Sequence, residues 1–68
     1  MERYTYEITF TRLDGKPDEV QQYTTEAVAK EAFGLFDEPD SAELYSRIQL
    51  NRHDWETGAD KPLDALVF

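Results

Sequence analysis

Asp18, Glu19, Glu26, Glu31, Asp37, Glu38, Asp40 and Glu43 share residues 18–43 with a single base, Lys30, so this stretch carries −7 of the chain's formal net charge of −8. Carboxylates at such density can hold a divalent cation, work in pairs as acid and base, or present charge to a cationic partner. A Ca²⁺ loop needs regularly spaced oxygens and a turn-forming glycine, and Asp37-Glu38-Pro39-Asp40-Ser41-Ala42-Glu43 has neither. A glycosidase pair needs a cleft between its two carboxylates, which a domain of this size does not build. Charge presentation remains. Acids spaced along a helix and its exit resemble phosphates, which repeat at about 3.4 Å per strand of duplex DNA, and would be drawn to a basic groove on another protein.

The remaining reactive side chains do not assemble into a catalytic set. His53 is the only histidine, and His53-Asp54 adjacency suggests an oriented base. Neighbouring strand residues point to opposite faces, however, so the two should not pair. Ser46 and Thr57 come with no readable base or oxyanion donors. Gly15, Gly34 and Gly58 stand alone, so no phosphate-cradling loop is present. Tyr4, Tyr6 and Phe10 on one strand face are the kind of aromatics on which bases stack, but without a basic groove they read as core beneath a helix. The expectation is no catalytic residue, no metal site and no cofactor.

The acids need elements to position them. Tyr4, Tyr6, Ile8 and Phe10 alternate with Thr5, Glu7, Thr9 and Thr11, the period of a half-buried strand. Asp14-Gly15-Lys16-Pro17 supplies hairpin turn chemistry. Glu19–Tyr23 returns, with Val20 and Tyr23 on opposite faces, which marks an edge strand or a bulge. Thr24 or Thr25 caps a helix with Glu26 in its first turn. Val28, Ala29, Ala32, Phe33 and Phe36 follow at helical spacing, and Pro39 predicts an end near Asp37. Asp40-Ser41-Ala42-Glu43 has the form of a capping box for one further turn through Tyr45. Ile48 and Leu50 define a third strand, Thr57–Pro62 breaks it, and Leu63–Phe68 forms a fourth. The prediction is a single α+β domain over residues 1–68, ββαββ, with one helix across a four-stranded, mostly antiparallel sheet.

Composition narrows the function further. The chain has no cysteine, so neither disulfides nor thiolate metal sites brace it. A pI near 4.3 opposes direct contact with nucleic acid or with anionic membranes. No apolar run approaches the roughly 20 residues of a membrane span. Met1-Glu2-Arg3-Tyr4 lacks the basic-then-apolar order of a signal peptide, which sets a cytoplasmic location as the expectation. A salt-adapted surface would be acidic throughout, whereas the residues outside 18–43 carry seven acids and six bases. The plainer alternative is a helix face kept charged for solubility.

In size, charge and inferred architecture the whole chain resembles the small acidic inhibitors of phages and mobile elements, of the anti-CRISPR type. That resemblance implies a non-enzymatic protein that binds a basic nucleic-acid-handling partner, concretely a CRISPR effector, in the host cytoplasm. Exposed ion pairs are individually weak, so binding needs several together with an apolar or aromatic anchor. Tyr23, Phe36, Tyr45 and Trp55 are anchor candidates beside the acids. The expected partner-binding residues are Glu26, Glu31, Asp37, Glu38, Asp40, Glu43 and Tyr45. The competing expectation is a small assembly protein that self-associates, as a homodimer, through a free sheet edge.

Overall fold

The computed structural model describes residues 3–68. Strands β1 (Tyr4–Arg12), β2 (Glu19–Tyr23), β3 (Tyr45–Asp54) and β4 (Asp60–Val67) form one sheet in the order β2-β1-β3-β4, and every neighbouring pair is antiparallel. Helices α1 (Glu26–Gly34) and α2 (Ser41–Leu44) lie between β2 and β3. The predicted ββαββ architecture is therefore the observed one.

The alternation of β1 sets the core. Tyr6, Ile8 and Phe10 are buried, as are Ile48 and Leu50 of β3 in register beside them. Ala29 and Phe33 of α1 close this face from above. Thr5, Glu7, Thr9 and Thr11 occupy the other face, which no helix covers. β2 is an edge strand in unbroken register with β1, so its mixed pattern reflects the edge and not a bulge.

Three boundaries differ from the sequence expectation. The α-helix ends at Gly34, and the chain reaches Asp37 through tighter turns in which the Leu35, Phe36 and Asp37 amides donate to Ala32, Phe33 and Gly34. Thr25 is the cap, its Oγ1 accepting from Val28 N at 3.4 Å. α2 forms without the expected capping box: Asp40 makes no side-chain cap bond, and backbone bonds from Ser41, Ala42 and Glu43 to the carbonyls three residues earlier hold the turn. Tyr45 already belongs to β3.

The third difference is that β4 begins at Asp60 and runs through Pro62. β4 is an edge strand and its register with β3 shifts between Leu50 and Asn51, where Asn51 opposes Pro62 and Leu50 opposes Asp64. An edge position at a bulge is where a strand tolerates a residue without an N–H. Gly58, at φ +77°, turns the β3–β4 hairpin, and Asp54 steadies it by accepting from Glu56 N at 2.9 Å.

One helix is about 10 Å wide and strands lie about 4.8 Å apart, so a single helix shields roughly two strands of four. α1 packs over β1, β2 and the near side of β3. The helix-side face of β4 is left without a roof, and Leu63 and Leu66 are only half-buried there.

Candidate protein-binding surface

Glu26 opens α1, where a negative charge complements the helix dipole. Its carboxylate holds Lys30 Nζ at 2.9 Å in the favourable i,i+4 order. The Lys30 hydrogen bond and charge, with a smaller contribution from Arg52, hold Glu26 below its ordinary pKa. Of the predicted binding acids, Glu26 is thus the one already compensated within the fold.

The other five differ. Glu31, Asp37, Glu38, Asp40 and Glu43 are all exposed, and none makes an ion pair among the described residues. Glu31 is two residues from buried Ala29 and from buried Phe33, which at about 100° per residue sets it on the outer side of the helix. Asp37 and Glu38 follow the C-terminus of α1, whose last turn carries no basic residue. Asp40 and Glu43 flank and occupy α2. No group of three or more His, Asp or Glu among the described residues lies close enough to share a metal ion.

Four acids elsewhere are answered by arginine. Arg12 bridges Asp14 at 2.8 Å and Glu19 at 2.6 Å, and Arg3 bridges Asp54 and Glu56, both at 3.2 Å. Glu19 therefore leaves the acidic stretch electrostatically, and the uncompensated charge concentrates between Glu31 and Glu43. Sequence counting over residues 18–43 did not separate these two groups, because the pairing of Arg12 with Glu19 depends on the hairpin that brings them together.

The predicted anchors divide as well. Tyr23, Phe36 and Tyr45 pack against the core. Phe36 meets the ring of Phe10 edge-on at 4.9 Å, and Tyr45 lies 5.1 Å from the same ring. The Tyr45 hydroxyl approaches Glu19 Oε2 at 3.5 Å, the outer limit of a hydrogen bond. Tyr45 thus stands where α2 meets the sheet, half-buried beside the acidic exit. Trp55 does not lie beside those acids. It follows the far end of ten-residue β3, roughly 30 Å along the strand from α2.

Trp55 instead belongs to a small polar cluster on the uncovered sheet face. Its Nε1 donates to Thr5 Oγ1 at 2.9 Å, and its ring meets His53 edge-on at 4.4 Å. His53 Nδ1 in turn lies 2.7 Å from Asp60 Oδ1 across the β3–β4 register. Asp54 points away to Arg3, so the adjacent pair His53-Asp54 does not interact, as alternation requires. Among the described residues, no hydroxyl or amine nucleophile bonds to His53.

A groove runs between α1 and β4, with a volume of about 430 Å³. Phe33 and Gly34 form one wall, Leu63 and Leu66 the other, and Leu50 the floor. Lys30, Asp37 and Asp64 line its rim, so Asp37 belongs both to the acidic exit and to this groove. Among the described residues, no helix is long and apolar enough to cross a membrane. No protein-family model, curated protein or solved structure matches the chain.

Proposed function

We propose that this chain is a non-enzymatic binding protein that occupies the basic surface of a nucleic-acid-handling protein, acting as a stoichiometric inhibitor. Its most concrete form is an anti-CRISPR protein directed at a CRISPR effector. One observation carries the reading: among the described residues Glu31, Asp37, Glu38, Asp40 and Glu43 stand exposed in one short segment without an ion pair, while Asp14, Glu19, Glu26, Asp54 and Glu56 are each paired and the other unpaired acids, Glu7, Asp18 and Asp64, are scattered. A surface kept charged where the fold could neutralise it complements a positive partner and steers its approach.

The test uses purified CRISPR effector complexes and the triple variant Glu38→Lys/Asp40→Lys/Glu43→Lys, whose three sites are exposed and outside the core. Binding should weaken steeply as salt rises, and the folded triple variant should bind at least about tenfold more weakly. Equal affinity of the folded variant, or absence of binding to every effector, rejects the reading.

The sheet edges favour a second reading. β4 is blunted by Pro62 and its bulge, whereas β2 offers a regular free edge to another strand. Pairing through β2 would give a homodimer whose sedimentation is insensitive to salt. A monomer at micromolar concentration removes this alternative.

A further inference from the structure

We propose that the groove between α1 and β4 seats one large apolar side chain of the protein partner, flanked by a lysine or arginine that reaches Asp37 and Asp64. The inference rests on the binding role proposed above and supplies the apolar anchor that an acidic surface otherwise lacks. The groove exists because one helix cannot roof four strands, and the β3–β4 bulge adds to it. Leu66 opposes Ile48 and Asp64 opposes Leu50, so both belong to the helix-side face, and Leu63 is the extra residue of the bulge. An apolar floor and walls beneath an acidic rim result.

The rim selects the occupant. Lys30 is held by Glu26 at 2.9 Å and is already neutralised. Asp37 makes no side-chain bond among the described residues, and Asp64 accepts only from the adjacent Ala65 amide at 2.8 Å. Two unanswered carboxylates beside apolar walls complement an apolar residue with a neighbouring cation. A second copy of this chain, with net charge −8, is disfavoured by its own charge. Arg52 and Lys61 pair across β3 and β4 outside the groove lining, with Arg52 lying 4.4 Å over the Tyr4 ring. The cation of the occupant is therefore directed to Asp37 and Asp64.

Gly34 provides the means of testing this. A Cβ added there meets no atom within 4 Å, and its backbone lies outside the left-handed region. Gly34→Leu therefore adds apolar bulk at a groove-lining position without backbone strain. Leu63→Glu, at a half-buried edge position, opposes the same occupancy by a different route.

The probes are lysine-flanked pentapeptides with Gly, Leu, Phe or Trp at the centre, plus a serine-flanked Trp peptide, titrated into the ¹⁵N-labelled full chain. The Trp-centred lysine peptide should bind about tenfold more tightly than the Gly-centred one, shifting the amides of Gly34, Leu63 and Leu66. Gly34→Leu and Leu63→Glu should each abolish that preference, Gly34→Leu leaving Gly-peptide binding intact and Leu63→Glu, which adds a carboxylate beside the rim, leaving it at least as tight. A Trp preference that survives both variants, or no preference at all, overturns the groove while the acidic surface stands. Equal binding of the serine-flanked peptide overturns the cationic requirement and makes the groove an apolar-ligand site. Full affinity for every lysine peptide in Asp37→Asn/Asp64→Asn overturns the acidic rim, and no binding by any peptide overturns the groove as a site, while the acidic surface is judged separately by the effector titration.

Discussion

Arg12 Nη1 lies 2.6 Å from Glu19 Oε1, tying the last residue of β1 to the first of β2. The same guanidinium reaches Asp14 in the turn between them, so one cation answers two of the hairpin's acids. Among the described residues, the exit of α1 has no counterpart to Arg12. This asymmetry in compensation, rather than the total charge, distinguishes the candidate surface from the rest of the molecule.

The hairpin cluster predicts a titration. Arg12, and after it the Lys16 amide, hold the Asp14 carboxyl down at about 2 from an ordinary 3.8. A depressed carboxyl stabilises the fold fully above its unfolded pKa and loses that contribution as pH falls through the folded value. The Asp14 part of the stability should therefore persist to pH 3.8 and disappear on approach to pH 2. Arg12 stays charged across this window. In Arg12→Gln the Asp14 carboxyl carbon, followed by NMR, should titrate well above its wild-type midpoint. An unchanged midpoint would show that the ion pair does not form in solution.

Phe10 is the keystone of the core, 1% exposed and in contact with the rings of Phe36 and Tyr45. Phe→Ala in a core costs about 3–5 kcal/mol. At roughly 0.05–0.15 kcal/mol per residue, that is comparable to the whole stability of a domain this small. Phe10→Ala should be largely unfolded at room temperature, and Ile48→Val should lose only about 0.5–1.5 kcal/mol. Urea melts followed by near-UV circular dichroism check both, and a cooperative native-like melt for Phe10→Ala would contradict the core described.

The uncompensated acids predict how salt acts on the free protein. Glu31 through Glu43 repel one another across a short segment, and screening shortens from about 30 Å at 0.01 M salt to about 3 Å at 1 M. The melting temperature should rise over that range. In Glu38→Lys/Asp40→Lys/Glu43→Lys the rise should shrink, because the like charges are no longer concentrated. A salt response identical in the two proteins would show that the exit acids do not interact.

The legible and illegible parts of this fold divide along physical lines. β1 was readable because alternation at period two leaves one arrangement for Tyr6, Ile8 and Phe10. The start of β4 was not, since Asp60-Lys61-Pro62 has turn chemistry and only the edge and the bulge permit it in a strand. Val28 and Leu35 fit the helical period or flank it, yet they are 52% and 71% exposed, because a helix resting on two strands buries a narrow stripe. The exposure of Asp37, Glu38, Asp40 and Glu43 followed from their surroundings in sequence. The His53–Asp60 pair and the groove did not, because both depend on a register that one shifted residue decides.

Asp37 sets stability against binding. It stands just beyond the C-terminus of α1, where the dipole favours a cation, and no basic residue occupies the last turn. A carboxylate there is locally unfavourable, and natural sequences break such rules mainly where function requires it. Asp37→Lys should raise stability by a few tenths of a kcal/mol through the dipole. The same substitution removes one of the two groove-rim acids, so affinity for the lysine-flanked Trp peptide should fall. Asp37→Asn removes the charge without reversing it and should move both quantities in the same directions by less. Thermal melts and peptide titrations on these two variants give opposite signs if Asp37 is kept for binding. Loss of stability in Asp37→Lys would mean that the carboxylate supports the fold, and its place on the surface would then need no partner to explain it.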